Sequence, residues 1–130
     1  MKAIVIATRV ILSILGIALI VLGVLFWTGH AISLIPLHML LGGIFVICMW
    51  LLSALTLFVH RARGFAVVVF VWGLIVLILG AEQVRLIPGS LHWIVQAVHL
   101  LVGVVAIGLA HALAGKILRP AGASPGPAST

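Results

Sequence analysis

The sequence predicts an all-α membrane protein, a polytopic four-helix bundle. Hydrophobic residues make up 65% of the 130 residues and charged residues only 6%, whereas soluble domains carry about 25% charged residues. Four long apolar stretches alternate with short polar connections, and a membrane-spanning helix needs about 20 mostly apolar residues. The chain therefore has room for four spans in a lipid bilayer and for little else. The net charge of +6 comes from basic residues at the span ends, which favours contact with lipid headgroups and not nucleic-acid binding.

The four spans follow one another in a single domain, residues 1–118. We expect spans at about residues 8–27, 36–59, 65–81 and 91–116, followed by a disordered cytoplasmic tail at 119–130, which is rich in Pro, Gly, Ala and Ser. The first span ends at Trp27, a residue type that favours the membrane interface. Pro36 opens the second, because a helix tolerates proline in its first turn. The first apolar run is long and no small-residue cleavage site follows it, so we expect it to be retained as a span.

Lysine and arginine predict the orientation. All but one of the 7 Lys and Arg residues lie at the two termini and in the middle connection; the other two connections carry only Arg85. Cytoplasmic loops are enriched in these residues. We therefore expect a multi-pass protein of the bacterial inner membrane, with both termini in the cytoplasm.

The two halves of the chain resemble each other. Small residues recur on one helix face of the first and third spans, where they allow close helix packing in lipid. Three short matches follow in the same order: Gly16–Gly23 with Gly73–Gly80, Leu34-Ile35-Pro36 with Leu86-Ile87-Pro88, and His38–Gly42 with His99–Gly103. They predict a tandem repeat of two similar helical hairpins. A pseudo-twofold axis along the membrane normal would then set the second span opposite the fourth.

Polar side chains lie on one stripe of the fourth span. His92, Gln96 and His99 are spaced i, i+4 and i+7, and His38 occupies the matching stripe of the second span. Glu82, the only acid in the chain, lies at the outer end of the third span. Polar groups in a membrane helix face the bundle interior or a wet cavity, so we expect these side chains to gather near the outer surface. Counting depth along the helices leaves open whether His92 or His99 lies opposite His38.

Several chemistries use such a set. Two imidazoles on facing helices can bind haem iron, with the glycines four residues beyond each leaving room for a flat macrocycle. Imidazoles with the Glu82 carboxylate suit zinc or copper, and histidine can also relay protons near neutral pH. The structural alternative is that each imidazole hydrogen-bonds to a neighbouring carbonyl for about 1 kcal/mol. We expect His30 and His60 at the membrane interface and His111 in packing or at the interface.

With four spans and the two histidines His38 and His99, each followed four residues later by a glycine, the chain resembles small four-helix membrane cytochromes of b type. The resemblance implies haem b in the outer half of the bundle, electron transfer, and a quinone or another redox partner. It implies His38 and His99 as the iron ligands, with His92 as the substitute. Gln96 and Glu82 would tune or hydrate the site. Apart from the resemblance, Trp50 and Trp72 are deep enough in their spans to line a ring-shaped ligand. No second well-matched histidine pair lies on the inner side, so a two-haem path across the membrane is not expected.

The alternative is a non-redox membrane protein, either an accessory subunit of a membrane complex or a small transporter. Its intramembrane histidines would then be structural, or would bind a metal or protons. Four short spans form a poor transport path alone, so a transporter predicts a homodimer or a larger assembly. The sequence contains no hydrolytic triad, nucleotide-binding glycine loop or cysteine motif, so enzyme chemistry of the soluble type is not expected.

Overall fold

The computed structural model describes residues 1–57 and 62–118 and confirms the all-α four-helix prediction. The α-helices are α1 (Lys2–Trp27), α2 (Ile35–Thr56), α3 (Arg63–Glu82) and α4 (His92–Leu118), with a 3₁₀ turn at Ile32–Leu34, and no strand occurs in the described part of the chain. All four helices are long and apolar enough to cross a membrane. The predicted end of the second span at residue 59, His60 and the tail at 119–130 lie outside the described residues.

The two Leu-Ile-Pro segments are alike in sequence but differ in structure. In the first, Pro36 lies in the opening turn of α2, where its missing N–H costs nothing. The second precedes α4, and there Ile87 has a φ of 44° and Gly89 a φ of 91°. Pro88 disfavours the right-handed helical conformation for Ile87, and α4 begins only at His92. This match therefore lends no structural support to a repeat.

The helices pack as an antiparallel bundle. The most extensive contacts join α2 to α3 and α1 to α4, followed by α1 with α2 and α3 with α4. The helices α2 and α4 form a diagonal contact, as the predicted arrangement requires. We call the end where α1 and α3 begin the terminal end, and the end that carries the connections 28–34 and 83–91 the loop end.

The tightly packed core lies in the terminal half of the bundle. Alanines allow the helices to approach closely there, and leucine, valine and methionine fill the remaining space. The fully buried residues of this core include Val5, Leu12, Met49, Leu52, Ala66, Val69, Ala106, Ala110, Leu113 and Ala114. Three buried hydroxyls, those of Thr8, Ser53 and Thr56, each donate to the carbonyl four residues earlier on their own helix. The core of the terminal half is therefore apolar, and its three buried hydroxyls have partners on their own helices.

Two glycines mark the closest helix contacts. A Cβ atom at Gly16 would lie 2.8 Å from Cδ1 of Ile107, and one at Gly73 would lie 2.9 Å from Nε1 of Trp50. Any larger residue at either position would require the side chain of Ile107 or Trp50 to shift. These contacts join α1 to α4 and α2 to α3, and they agree with the packing role predicted for the two glycines.

Indole hydrogen bonds tie α3 to both of its neighbours. Nε1 of Trp50 donates to the carbonyl of Phe70 at 3.1 Å, and Nε1 of Trp72 donates to the carbonyl of Val102 at 3.0 Å. Each indole N–H thus finds an acceptor inside the bundle, which a membrane interior does not otherwise offer.

The Trp72 bond should contribute measurably to stability. The substitution Trp72→Phe keeps an aromatic ring but removes the donor to Val102, and interhelical hydrogen bonds in membranes contribute about 1 kcal/mol. We expect the unfolding midpoint in detergent to fall by a few degrees. Trp93→Phe is the matched control, because that indole is 53% exposed on the bundle surface. Equal midpoints for the two variants would mean that the Trp72 bond contributes nothing.

Candidate functional site

The loop half of the bundle contains a cavity of about 390 Å³, a size within the range of about 300–1,000 Å³ for small-molecule and cofactor sites. Its wall is mainly apolar and includes six glycines: Gly16, Gly23, Gly42, Gly43, Gly80 and Gly103. Five polar side chains also line it: His38, Gln83, His92, Gln96 and His99. The polar stripes predicted on α2 and α4 therefore face one interior space.

His38 and His99 are neighbours inside this cavity. Their ring centroids lie 6.4 Å apart, with an angle of 57° between the ring planes. The diagonal contact of α2 with α4 brings them together, whereas His92 is the first residue of α4 and lies at the loop end. Of the two histidines that depth counting left open, it is His99 whose ring adjoins that of His38.

Each ring of this pair faces a glycine of the preceding helix. A Cβ atom at Gly23 would lie 3.9 Å from Cε1 of His38, and one at Gly80 would lie 3.2 Å from Cε1 of His99. Beyond packing, these glycines therefore provide room for the imidazoles. The ring of Phe26 also meets that of His38 edge-on, at a centroid distance of 5.4 Å. We did not anticipate Phe26 from the sequence, although its position three residues after Gly23 places it on the same helix face.

The paired imidazoles differ from His111 in their hydrogen bonding. The Nδ1 atoms of His38 and His99 are buried without a partner among the described residues. Nδ1 of His111, in contrast, donates to the carbonyl of Ile107 at 3.0 Å, and its Nε2 lies 2.9 Å from the hydroxyl oxygen of Ser13. An unsatisfied buried polar atom costs about 1–3 kcal/mol. A purely structural role, in which an imidazole hydrogen-bonds to its neighbours, therefore fits His111 far better than it fits His38 and His99.

The remaining polar lining residues lie nearer the loop end. Nδ1 of His92 donates to the carbonyl of Leu86 at 3.3 Å, which leaves Nε2 as the ring nitrogen available to a ligand. Gln96 lies about one turn deeper on the same helix and also faces the cavity. Gln83, at the end of α3, completes this polar group.

Glu82 does not take the place that we expected for it. It is not among the residues that line the cavity, and its Oε2 lies 3.4 Å from Nη1 of Arg85. The side chain of Arg85 is 82% exposed, so this pair belongs to the surface and contributes little to stability. The carboxylate of Glu82 is instead paired with Arg85 at the end of α3.

Two further expectations find no support in the described part of the chain. The set His38, His92, His99 and Glu82 does not assemble, and residues 1–57 and 62–118 contain no group of three or more His, Cys, Asp or Glu side chains that could hold a metal ion. Trp50 and Trp72, which are deep enough in the sequence to line a ring-shaped ligand, are not among the residues that line the cavity, and their indoles join helices.

The spacing of the histidine pair suits an ion held between two imidazoles. With metal–nitrogen bonds of about 2 Å, two axial imidazoles need ring centroids roughly 6 Å apart, and the observed distance is 6.4 Å. A Cβ atom at Gly43 or Gly103 would meet nothing within 4 Å, so the space beside the rings is open. The residues present therefore fit a flat ligand with a metal at its centre.

The contact of Gly80 with His99 should make this position sensitive. In Gly80→Ala the new methyl group would lie 3.2 Å from the ring, so His99 must shift and a ligand held by both imidazoles should bind several-fold more weakly. Gly23→Ala is the matched control, because its methyl group would lie at an ordinary contact distance of 3.9 Å. Titration of both variants with haem, followed by absorbance, measures the difference. Equal affinities would show that the ring position at Gly80 is not critical.

Comparisons of this chain with models of protein families, with curated proteins and with solved structures find no match. No ligand set or role is therefore transferred from a relative, and each residue above is assigned by its own contacts.

Proposed function

We propose that the protein binds haem b between His38 and His99 and serves electron transfer in the membrane. The main support is the pair of imidazoles from diagonal helices, which line one cavity with ring centroids 6.4 Å apart. Neutral imidazole is a frequent haem ligand, and either ring nitrogen can bind a metal. When bound, the haem supplies one-electron chemistry.

The chain's own residues have distinct tasks in this proposal. His38 and His99 would hold the iron, and Gly23 and Gly80 give their rings room. The mainly apolar wall would limit contact of the ligand with water, and solvent exposure together with ligand identity is a main determinant of a haem potential. Gln96, expected from the sequence to tune or hydrate the site, remains a lining residue. Glu82 has no task at the cavity.

A repeated hairpin would explain the symmetry of the pair. The contact of Gly23 with His38 in the first hairpin corresponds to that of Gly80 with His99 in the second. The contact of Gly16 with Ile107 likewise corresponds to that of Gly73 with Val46. Such correspondences are what a pseudo-twofold axis between α2 and α4 would produce. A duplicated hairpin would supply one histidine from each half, and the two would hold the haem together.

The distribution of basic residues indicates how the protein is oriented in the membrane in this proposal. With both termini in the cytoplasm of a bacterial inner membrane, the loop end and its cavity lie in the outer half of the bilayer. A lipid-soluble quinone or a membrane redox protein would exchange electrons there.

An absorption spectrum tests the proposal directly. The protein is expressed with a haem supply, purified in mild detergent, and recorded first oxidised and then reduced. We expect the sharp reduced bands of a haem with two imidazole ligands. A colourless protein that takes up no added haem would overturn the proposal and leave the accessory subunit or small transporter as the alternative.

A further inference from the structure

The cavity has polar groups among apolar ones, such as Trp27 and Ile32, at its loop end, and only apolar groups toward the packed core. His92, Gln96 and Gln83 line it toward the loop end, whereas Ile20, Val46 and Ile107 line it toward the packed core. Ile107 lies about three turns deeper along α4 than Gln96. A ligand that fills this space must therefore have one edge that hydrogen-bonds and one that does not.

The polar end is free of negative charge. Glu82 is the only acidic residue of the sequence, and its carboxylate pairs with Arg85 and does not line the cavity. An acidic ligand edge would meet no like charge from the cavity wall. It would instead meet the His92 ring, whose Nδ1 is bound to the carbonyl of Leu86 and whose Nε2 remains to donate a charge-assisted hydrogen bond when the ring is protonated.

We propose that His92 and Gln96 bind the carboxylate groups of the ligand. A haem would then enter with its acidic edge toward the loop end and its apolar edge toward Ile107. This assignment rests on the proposed function and deepens it, since it makes His92 a determinant of ligand recognition in addition to the iron-binding pair. It replaces the sequence-based expectation that His92 substitutes for an iron ligand.

The experiment compares haem b with its dimethyl ester, which has the same iron and ring but no charged carboxylates. Both are titrated into the purified full-length protein in detergent, and binding is followed by absorbance. We expect the wild type to bind the free acid about tenfold more tightly than the ester, the size of one charge-assisted hydrogen bond. In His92→Ala that preference should shrink to the smaller part that Gln96 supplies, because affinity for the acid falls while affinity for the ester stays constant.

Two further variants sharpen the result. His92→Gln keeps a donor at this position and should retain part of the preference. His30→Ala is the control. His30 lies at the same end of the bundle, but its ring contacts Thr28 and does not line the cavity. This variant should prefer the acid over the ester as strongly as the wild type does.

The outcomes separate this assignment from the haem proposal. Equal affinity of the wild type for the acid and the ester would overturn the role of His92 and leave haem binding by His38 and His99 in place. A His92→Ala variant that loses affinity for both ligands equally would assign His92 a structural role and also overturn the inference. Failure of both ligands to bind the wild type would overturn the proposed function and the inference together.

Discussion

Alanine at His38 or at His99 should abolish haem retention, whereas alanine at His111 should leave it intact. The first two imidazoles line the cavity, and their buried Nδ1 atoms have no partner among the described residues. His111 lies on the same helix as His99, but its ring is bound to Ser13 and Ile107. Loss of either axial ligand leaves the iron with a single imidazole, so the ratio of haem to protein after purification should fall from near one to near zero.

Two controls distinguish a lost ligand from a damaged fold. Gel filtration and helical circular dichroism should be unchanged in the alanine variants, because neither ring belongs to the packed core in the terminal half. Added imidazole should also restore the absorption bands in His99→Gly, where the deleted side chain leaves space for it. Haem retained at the wild-type ratio in His38→Ala would contradict the assignment of the iron ligands.

The fold could be predicted from hydropathy because a membrane span is defined by length and apolarity alone. Helical periodicity predicted that His38 and His99 face one interior space. Exposing an imidazole to lipid is costly, so the helix face that carries it turns inward. The choice of His99 over His92 could not be made in this way. It depends on where α4 begins and how far the diagonal helices slide along each other, and both are set by tertiary packing.

The positions of Glu82 and the tryptophans could not be predicted for a similar reason. Glu82 is close to the site in sequence, but its side chain is directed by the last turn of α3 and by the charge of Arg85. The tryptophans are deep enough to reach the cavity, yet their N–H groups need acceptors, and helix carbonyls of Phe70 and Val102 provide them. Local hydrogen-bonding needs of this kind depend on neighbours that periodicity does not identify.

Phenylalanine at Gly103 should block the ligand site without unfolding the protein. Gly103 lines the cavity, and a Cβ atom there would meet nothing within 4 Å, so a benzyl group can enter space that the ligand would use. Filling the cavity and replacing a helical glycine should both favour the folded state, because glycine has a lower helix propensity than phenylalanine. We expect haem affinity to fall by at least about a hundredfold, since displacing a ring from the cavity forfeits its burial, while the unfolding midpoint of the haem-free protein stays equal or rises.

Gly108→Phe provides the matched control on the same helix. A Cβ atom at Gly108 likewise meets nothing within 4 Å, but Gly108 is exposed on the bundle surface and does not line the cavity. Both variants gain the same side chain and lose the same helical glycine, so any difference in haem affinity reports the position of the ligand. Normal haem binding by Gly103→Phe would place the ligand outside this cavity, even if the alanine variants at His38 and His99 lose haem.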